Sequence, residues 1–395
     1  MKNFIFISPN FPVTYWKFCE ELKNNGLRVL GIGDCPYDEL KQELRNSLHE
    51  YYKVSNLENF DEVFKAVAFF TYKYGKIDWL ESNNEYWLER DAKLRTEFHI
   101  TTGFMEEDME SVKRKSAMKA YYAKAGLPTA RYHLVEDYDD AVAFANKVGY
   151  PVVVKPDNGV GASSTFRLKC DEDVRNFIDT KDDVLYIMEE MVRGTVCTYD
   201  AIIGADGQPL FESGNVTPVS LMDVVNDNED CAFYLHKEVP EDIRDAGLRT
   251  VAAFGVKSRF IHFEFFRLNE DQEGLGKKGE LVGLEVNMRP AGGYTPDMYN
   301  YGYETDVYKI WADMIAFNES TKPLGTKRYC AFAGRRDGKT YKMDHNAVME
   351  KYGYCLRMQD RIPDALSACM ANVMYVCVFD TEEQMQAFFQ DLFAQ

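Results

Sequence analysis

Apolar and polar positions repeat along this chain with two different periods, and the switches between them mark out its elements. Within residues 1–110 short apolar runs alternate with amphipathic stretches. Strands are predicted at 4–8, 27–32, 51–54 and 77–81, and helices over 12–25, closed by Gly26, and over 57–74. That βαβ rhythm predicts a parallel sheet with helices on both faces. Residues 111–130 read as one basic amphipathic helix stopped by Gly126 and Pro128. A strand at 131–135, a helix at 138–148, a β-branched strand delivering Lys155 and a strand at 185–188 follow. Beyond them lie strands at 198–203 and 209–216, a helix at 241–254, paired runs at 261–267 and 280–287, and a helix at 303–316. The last stretch, 325–395, reads β-α-β-α, with a strand at 372–379 and a terminal helix at 381–393. The class is α/β, turning to α+β in the middle of the chain.

Composition narrows the partners. The chain has 395 residues, enough for two or three domains and a large core. With 46% hydrophobic and 28% charged residues it is ordinary for a globular protein. Its net charge of −18 argues against duplex nucleic acid and anionic membrane surfaces as partners, since phosphate neutralisation needs a basic face. Nine cysteines, odd in number and without a C-x-x-C pair, argue against a disulfide framework or zinc site and for a reducing, cytoplasmic setting. The first residues read as a strand and not as a signal peptide.

The most chemically loaded stretch is 261–293. Its two alternating runs flank a Gly/Lys/Asp-rich turn, which predicts a β-hairpin with a long loop. Period two puts Glu264 on one face with His262 and Phe266, and Glu285 with Asn287 on one face of the returning strand. Where those faces coincide, two carboxylates and an amide oxygen converge, with Arg289 two residues on. Oxygen ligands of this kind suit Mg²⁺, which keeps waters and takes substrate phosphates as its remaining partners. A solvated hairpin would show the same alternation.

A second stretch changes that balance. Lys155 ends a buried strand and is followed at once by Gly159, Gly161, Ser163, Ser164 and Thr165. The glycines let successive backbone N–H groups point into one concavity, an anion cradle, and the hydroxyls add donors. It is not a Walker loop, because the lysine precedes the glycines. No G-x-G-x-x-G follows the first strand, so a dinucleotide site is rejected. Glu85, after the strand at 77–81, reads as a solvated loop residue. Ala117-Met118-Lys119 has the composition of a biotin attachment site but lies in helical periodicity. Residues 189–194, Glu-Glu-Met-Val-Arg-Gly, read as a hinge presenting backbone groups and a carboxylate to a purine.

Taken in order, the helix lysine Lys115, the strand lysine with its Gly/Ser loop, the acidic hinge and the E…E-x-N-x-R hairpin make the chain resemble the ATP-grasp superfamily of carboxylate–amine ligases. H-F-E at 262–264, L-E-V-N-M-R-P at 284–290 and G-L-P-T-A-R at 126–131 are most like the branch of L-amino acid ligases and carbamoyl-phosphate-synthase-like proteins. The resemblance covers residues 1–320. It implies a Rossmann-like pre-ATP-grasp domain (1–110), an ATP-grasp lid lobe (111–190), a C-lobe with the Mg/ATP site (191–324) and a small C-terminal α/β unit (325–395).

The resemblance also implies roles. Lys115 and Lys155 would contact ATP phosphates under a lid loop carrying Gly159, Gly161, Ser163 and Ser164. Glu189 with the backbone of Met191 and Val192 would hold adenine. Glu264, Glu285 and Asn287 would bind one or two Mg²⁺ ions, with Mn²⁺ an alternative, and Arg289, with Lys155, would act on the transferring phosphoryl group. Substrate candidates are Arg289, Gly292, Gly293 and His262, with Glu212 and Arg267 behind them. Thr195-Val196-Cys197 stands where family members carry a ribose-binding Glu, which leaves the ribose unassigned. The implied reaction is ADP-forming ligation of a small, amino-acid-like carboxylic acid to an amine. A kinase or carboxyphosphate-forming enzyme and a non-catalytic ATP sensor are the alternatives, and a homodimer is compatible with each.

Overall fold

The computed structural model describes residues 1–159, 164–219 and 221–395. A four-stranded parallel sheet opens the chain, in the order Glu50–Lys53, Arg28–Gly33, Asn3–Ile7, Trp79–Glu81. The strand Asn3–Ile7 is buried along its whole length because alternate residues feed two different cores. Phe4 and Phe6 pack with Phe18, Leu22 and Trp311 on one face, whereas Ile5 and Ile7 meet Val63, Val67 and Phe70 on the other. Trp311, in the helix Val307–Phe317, stands edge-on to Phe4 at 5.6 Å, so a late helix seals the N-terminal sheet.

The stretch expected to form a lid lobe contains a four-stranded antiparallel sheet ordered Tyr132–Val135, Tyr186–Glu190, Val152–Pro156, Phe166–Leu168. Val152, Val154, Tyr186 and Met188 face the helices Tyr138–Val148 and Asp171–Thr180. Period two then sends Lys155 and Glu189 out of the opposite face. The largest sheet is antiparallel: Leu281–Asn287, Arg259–Leu268, Gly194–Ile203, Asn215–Thr217, Cys231–Leu235, Tyr329–Arg335, Val373–Phe379, Leu356–Arg361, with Pro209–Ser213 also on Gly194–Ile203. The strands of 325–395 therefore form no sheet of their own but lengthen this one through Cys231–Leu235.

Three expectations need correction. The basic helix at 111–130 is two helices, Met109–Lys113 and Lys115–Lys124, broken at Arg114 with ψ 118°. Asp157 makes the break: its carboxylate accepts from Ser116 N at 2.8 Å and Ser116 Oγ at 2.9 Å, and its carbonyl accepts from Lys115 N at 2.9 Å. A new helix start is thus capped by the residue that follows the strand Val152–Pro156. The helix expected at 303–316 begins at Val307, where Asp306 caps Tyr308 N and Lys309 N. Ahead of it, where the pattern predicts no element, Thr295–Tyr303 is a helix too and carries Tyr299, Tyr301 and Tyr303.

Candidate active site

The hairpin forms with Glu264 and Glu285 as direct cross-strand partners and His262 opposite Asn287. Its apolar alternates, Ile261, Phe263, Phe265 and Val286, join a core with Tyr122 and Ile243, which leaves the polar set on the other face. Gly283 lets the helix Lys115–Lys124 approach, for a Cβ there would stand 2.6 Å from the Tyr122 ring. On the polar face Asn287 Nδ2 donates to Glu264 Oε1 at 3.2 Å, and Arg289 Nη2 donates to Asn287 Oδ1 at 3.1 Å.

His262 bridges two carboxylates, with Nδ1 2.5 Å from Asp200 Oδ1 and Nε2 3.2 Å from Glu264 Oε1. Burial disfavours its charged form, but Asp200 and then Glu264 outweigh burial and raise it to about 9. Burial pushes Glu264 up, and His262, Arg289 and Lys155 together bring it below the usual carboxylate range.

The two predicted lysines reach this face from different elements. Lys115, at the start of its helix, places Nζ 3.1 Å from Glu285 Oε1 and donates to Gly159 O at 3.1 Å. Lys155 Nζ lies 2.7 Å from Glu189 Oε2. Burial would lower the Lys155 ammonium, yet Glu189 and Glu285 hold it above its ordinary value. Lys119, given no role in the nucleotide site from sequence, closes on the other oxygen of Glu189. Burial raises Glu189, and the Lys119 and Lys155 ammoniums override it and hold the carboxyl at about 2. Glu189 is therefore clamped between two cations.

In the hinge, Met191 O accepts from Gln272 Nε2 at 2.8 Å, and Arg193 N donates to Gln272 Oε1 at 3.0 Å. Val192 is buried against Leu268, Leu275 and Val282. Of the lid loop, Gly159 and the exposed Ser164, at φ 59°, are described, and Gly161 and Ser163 lie outside the described residues. Gly292 is exposed and its carbonyl accepts from Thr295 Oγ1 at 2.8 Å. Gly293 has φ +63°, and a Cβ on it would meet Met370 Sδ at 2.5 Å, so this turn requires glycine.

Glu85 departs from expectation. It is buried, with Oε1 2.8 Å from Lys113 Nζ and Oε2 3.5 Å from Arg289 Nε. The N-terminal domain thus contributes to the same polar cluster. The available signal was position, the carboxyl end of a parallel strand where such sheets bind ligands. For Lys119 the signal was its i+4 spacing from Lys115, which puts both on one helix face. Glu212 and Arg267 are not brought in: Glu212 accepts from Tyr199 OH at 2.7 Å and pairs with Arg244, and Arg267 pairs with Asp242 at 2.6 Å.

No cluster of three or more His, Cys, Asp or Glu side chains that could hold a metal occurs among the described residues. Two facing carboxylates and one amide oxygen fit instead a hard divalent ion that takes its other ligands from phosphates and water.

Several known proteins share this architecture. The family model for the carbamoyl-phosphate synthase L chain, ATP binding domain, matches residues 114–181. The L-arginine-specific L-amino acid ligase of Bacillus subtilis is 27% identical over 242 residues, 58% of this chain and 56% of that protein. The match thus spans about half the length of that relative. The crystal structure of the L-amino acid ligase from Bacillus licheniformis superposes with a TM-score of 0.71 at 16% identity, covering 100% of this chain and 99% of the other. The biotin carboxylase domain of the Hydrogenobacter thermophilus 2-oxoglutarate carboxylase, in complex with MgADP, ADP and bicarbonate, gives a TM-score of 0.69 at 14% identity over 99% and 90% of the two chains. The chain thus has the fold of these ligase and carboxylase structures, and within it residues 114–181 match the ATP binding domain of the carbamoyl-phosphate synthase L chain.

Proposed function

We propose that this protein is an ATP-dependent, ADP-forming ligase that joins a small, amino-acid-like carboxylic acid to an amine through an acyl phosphate. One observation carries the reading: Lys115 pairs with Glu285 on the polar face that holds Glu264, Asn287 and Arg289, and Lys155 lies near enough for the charges of Glu285 and Glu264 to act on it, although the two lysines come from a helix and a strand far from the hairpin in sequence.

A carboxylate is a poor acyl donor because its leaving group would be oxide. Its oxygen attacks the γ-phosphorus of ATP, ADP leaves, and the amine then displaces phosphate from the acyl phosphate. Such transfer is governed by positioning and by charge neutralisation. Lys115 and Lys155 would hold the phosphates, and Arg289 would face the charge that builds on the transferring group. Glu264, Glu285 and Asn287 would hold Mg²⁺, or Mn²⁺ in its place, which supplies neutralisation of phosphate charge when bound. Lid residues 157–165 would exclude water from the acyl phosphate. The Met191–Val192 backbone would take the adenine. His262, fixed by Asp200, would orient Glu264, and the turn at Gly292 and Gly293 would border the acceptor. No described helix is long and apolar enough to cross a membrane, and all nine cysteines are free, which supports action in a reducing cytoplasm.

The test is incubation with ATP, Mg²⁺ and panels of carboxylic acids and amines. Phosphate release that depends on an acid–amine pair, with the amide seen by mass spectrometry, is the expected result. Release that never depends on any pair would overturn the ligase reading, and a phosphorylated product without amide would mark a kinase.

A further inference from the structure

Arg336 follows the strand Tyr329–Arg335 in the C-terminal stretch and is 7% exposed. Among the described residues its guanidinium donates to backbone carbonyls alone. Nε donates to Glu229 O at 3.0 Å, Nη1 to Ser367 O at 2.6 Å, and Nη2 to Val224 O and Ala368 O, both at 2.8 Å. Val224 stands in the last turn of the helix Leu221–Asn226, and Ser367 and Ala368 in that of Asp364–Met370. The carbonyl ends of helices carry partial negative charge, which offsets the cost of burying the cation. Apolar packing would serve stability as well. What the guanidinium adds is direction, a tie that joins the C-terminal stretch, the segment 224–230 and the helix Asp364–Met370.

Both tied segments reach the candidate site. Asn226, an exposed residue, donates from Nδ2 to Thr165 O at 3.2 Å. Thr165 directly precedes Phe166–Leu168, the edge strand of the sheet that carries Lys155. The chain leaves that sheet from another strand, Tyr186–Glu190, so the edge has its own hold on the body of the protein. Asp230 secures the other end of the segment: its Oδ1 accepts from Arg336 N at 3.2 Å and from Tyr341 OH at 2.6 Å. Met370, at the end of the second helix, lies against Gly293 in the turn after Arg289.

We propose that Arg336 is a positioning residue: it makes the segment 224–230 a fixed stop for the edge of the lid sheet, so that the C-terminal unit helps to retain bound nucleotide. This rests on the nucleotide clamp of the proposed function and not on the identity of the acid or the amine. Asn226 holds the sheet only while its own backbone is held, and Arg336 supplies that hold through Val224 O and Glu229 O.

The test is stopped-flow dissociation of a fluorescent, non-hydrolysable ATP analogue with Mg²⁺ from the full chain, Asn226→Ala, Arg336→Lys and the double variant, with a Tm for each. Asn226→Ala changes an exposed side chain, and it is expected to keep its Tm and to speed dissociation by about two- to tenfold. Arg336→Lys should speed it at least as much. The double variant should be no faster than Arg336→Lys alone, because both substitutions act through one contact. Should Arg336→Lys not fold, Tyr341→Phe takes its place, since it loosens the same segment at Asp230. A wild-type rate in Asn226→Ala, or rate increases that multiply in the double variant, would overturn the proposal and leave Arg336 to stability alone. Wild-type protein that binds no analogue would overturn the nucleotide reading itself, and the proposal with it.

Discussion

Lys115 Nζ stands 3.1 Å from Glu285 Oε1, so the start of one helix and the second strand of a hairpin 170 residues further along the chain share one ion pair. Under the proposed function the ammonium would turn to phosphate and the carboxylate to a cation. Glu285→Gln keeps the shape and hydrogen-bonding capacity but removes the charge. Phosphate release should fall by about 10²–10³-fold. Metal-free binding of an ATP analogue, followed by fluorescence titration, should stay nearly unchanged. Equal loss of both would assign Glu285 to the fold instead of to the reaction.

Arg289 is held by Asn287 Oδ1 at 3.1 Å and lies beside buried Glu85. A group acting only as charge develops lowers kcat without altering ground-state affinity. Arg289→Met is expected to cut kcat by about 10²–10³-fold at a nearly constant KM for ATP, read by steady-state kinetics.

Glu189 is the acidic centre of a buried Lys119–Glu189–Lys155 cluster. Its carboxyl is held at about 2, below its unfolded value, so the folded state binds fewer protons. The stability it contributes is complete above about pH 4.3 and is lost as pH falls toward 2. Glu189→Gln strands two buried ammoniums and should cost about 3–5 kcal/mol at neutral pH. Urea midpoints measured from pH 2 to 7 should show the acid-side slope shrinking in the variant.

Asp91 runs the other way. Burial, and then the neighbouring Glu81 carboxylate, push it up to about 7, while Ser82 N and Oγ donate to Oδ2. The folded state here binds more protons than the unfolded chain. This contribution is therefore present below about pH 4 and is lost as pH rises to about 7. Asp91→Asn should flatten the fall in urea midpoint between pH 4 and 7; an unchanged slope would assign that fall to other groups.

Gly283 touches the Tyr122 ring so closely that no side chain fits. Gly283→Ala should cost about 1–3 kcal/mol by overpacking, read as a lower Tm, and should weaken nucleotide binding because Lys115 rides on the displaced helix.

The acidic face was legible because a hairpin has only one period, and Glu264, Glu285 and Asn287 obey it. Lys155 was legible for a similar reason, as a lone cation closing an apolar run. The break at Arg114 was not, since the cap that causes it is Asp157, 41 residues from the Ser116 it holds. Local pattern cannot register a partner that only tertiary packing supplies. Glu85 escaped likewise: its segment is polar, and its burial comes from Lys113 and Arg289 arriving from elsewhere. Gln272 lay in a turn that looked like solvent-facing loop, yet it ties that turn to Met191 O.

The shared sheet bears on how this protein can be cut or joined. Cys231–Leu235 pairs with Tyr329–Arg335 through five residue positions. Shortening the gene ahead of Tyr329 would bare that row of amides and carbonyls as a sticky seam, inviting filament growth between copies. Fusion tags belong at the extreme ends, and a minimal enzyme made by trimming the tail should come out of cells as inclusion bodies.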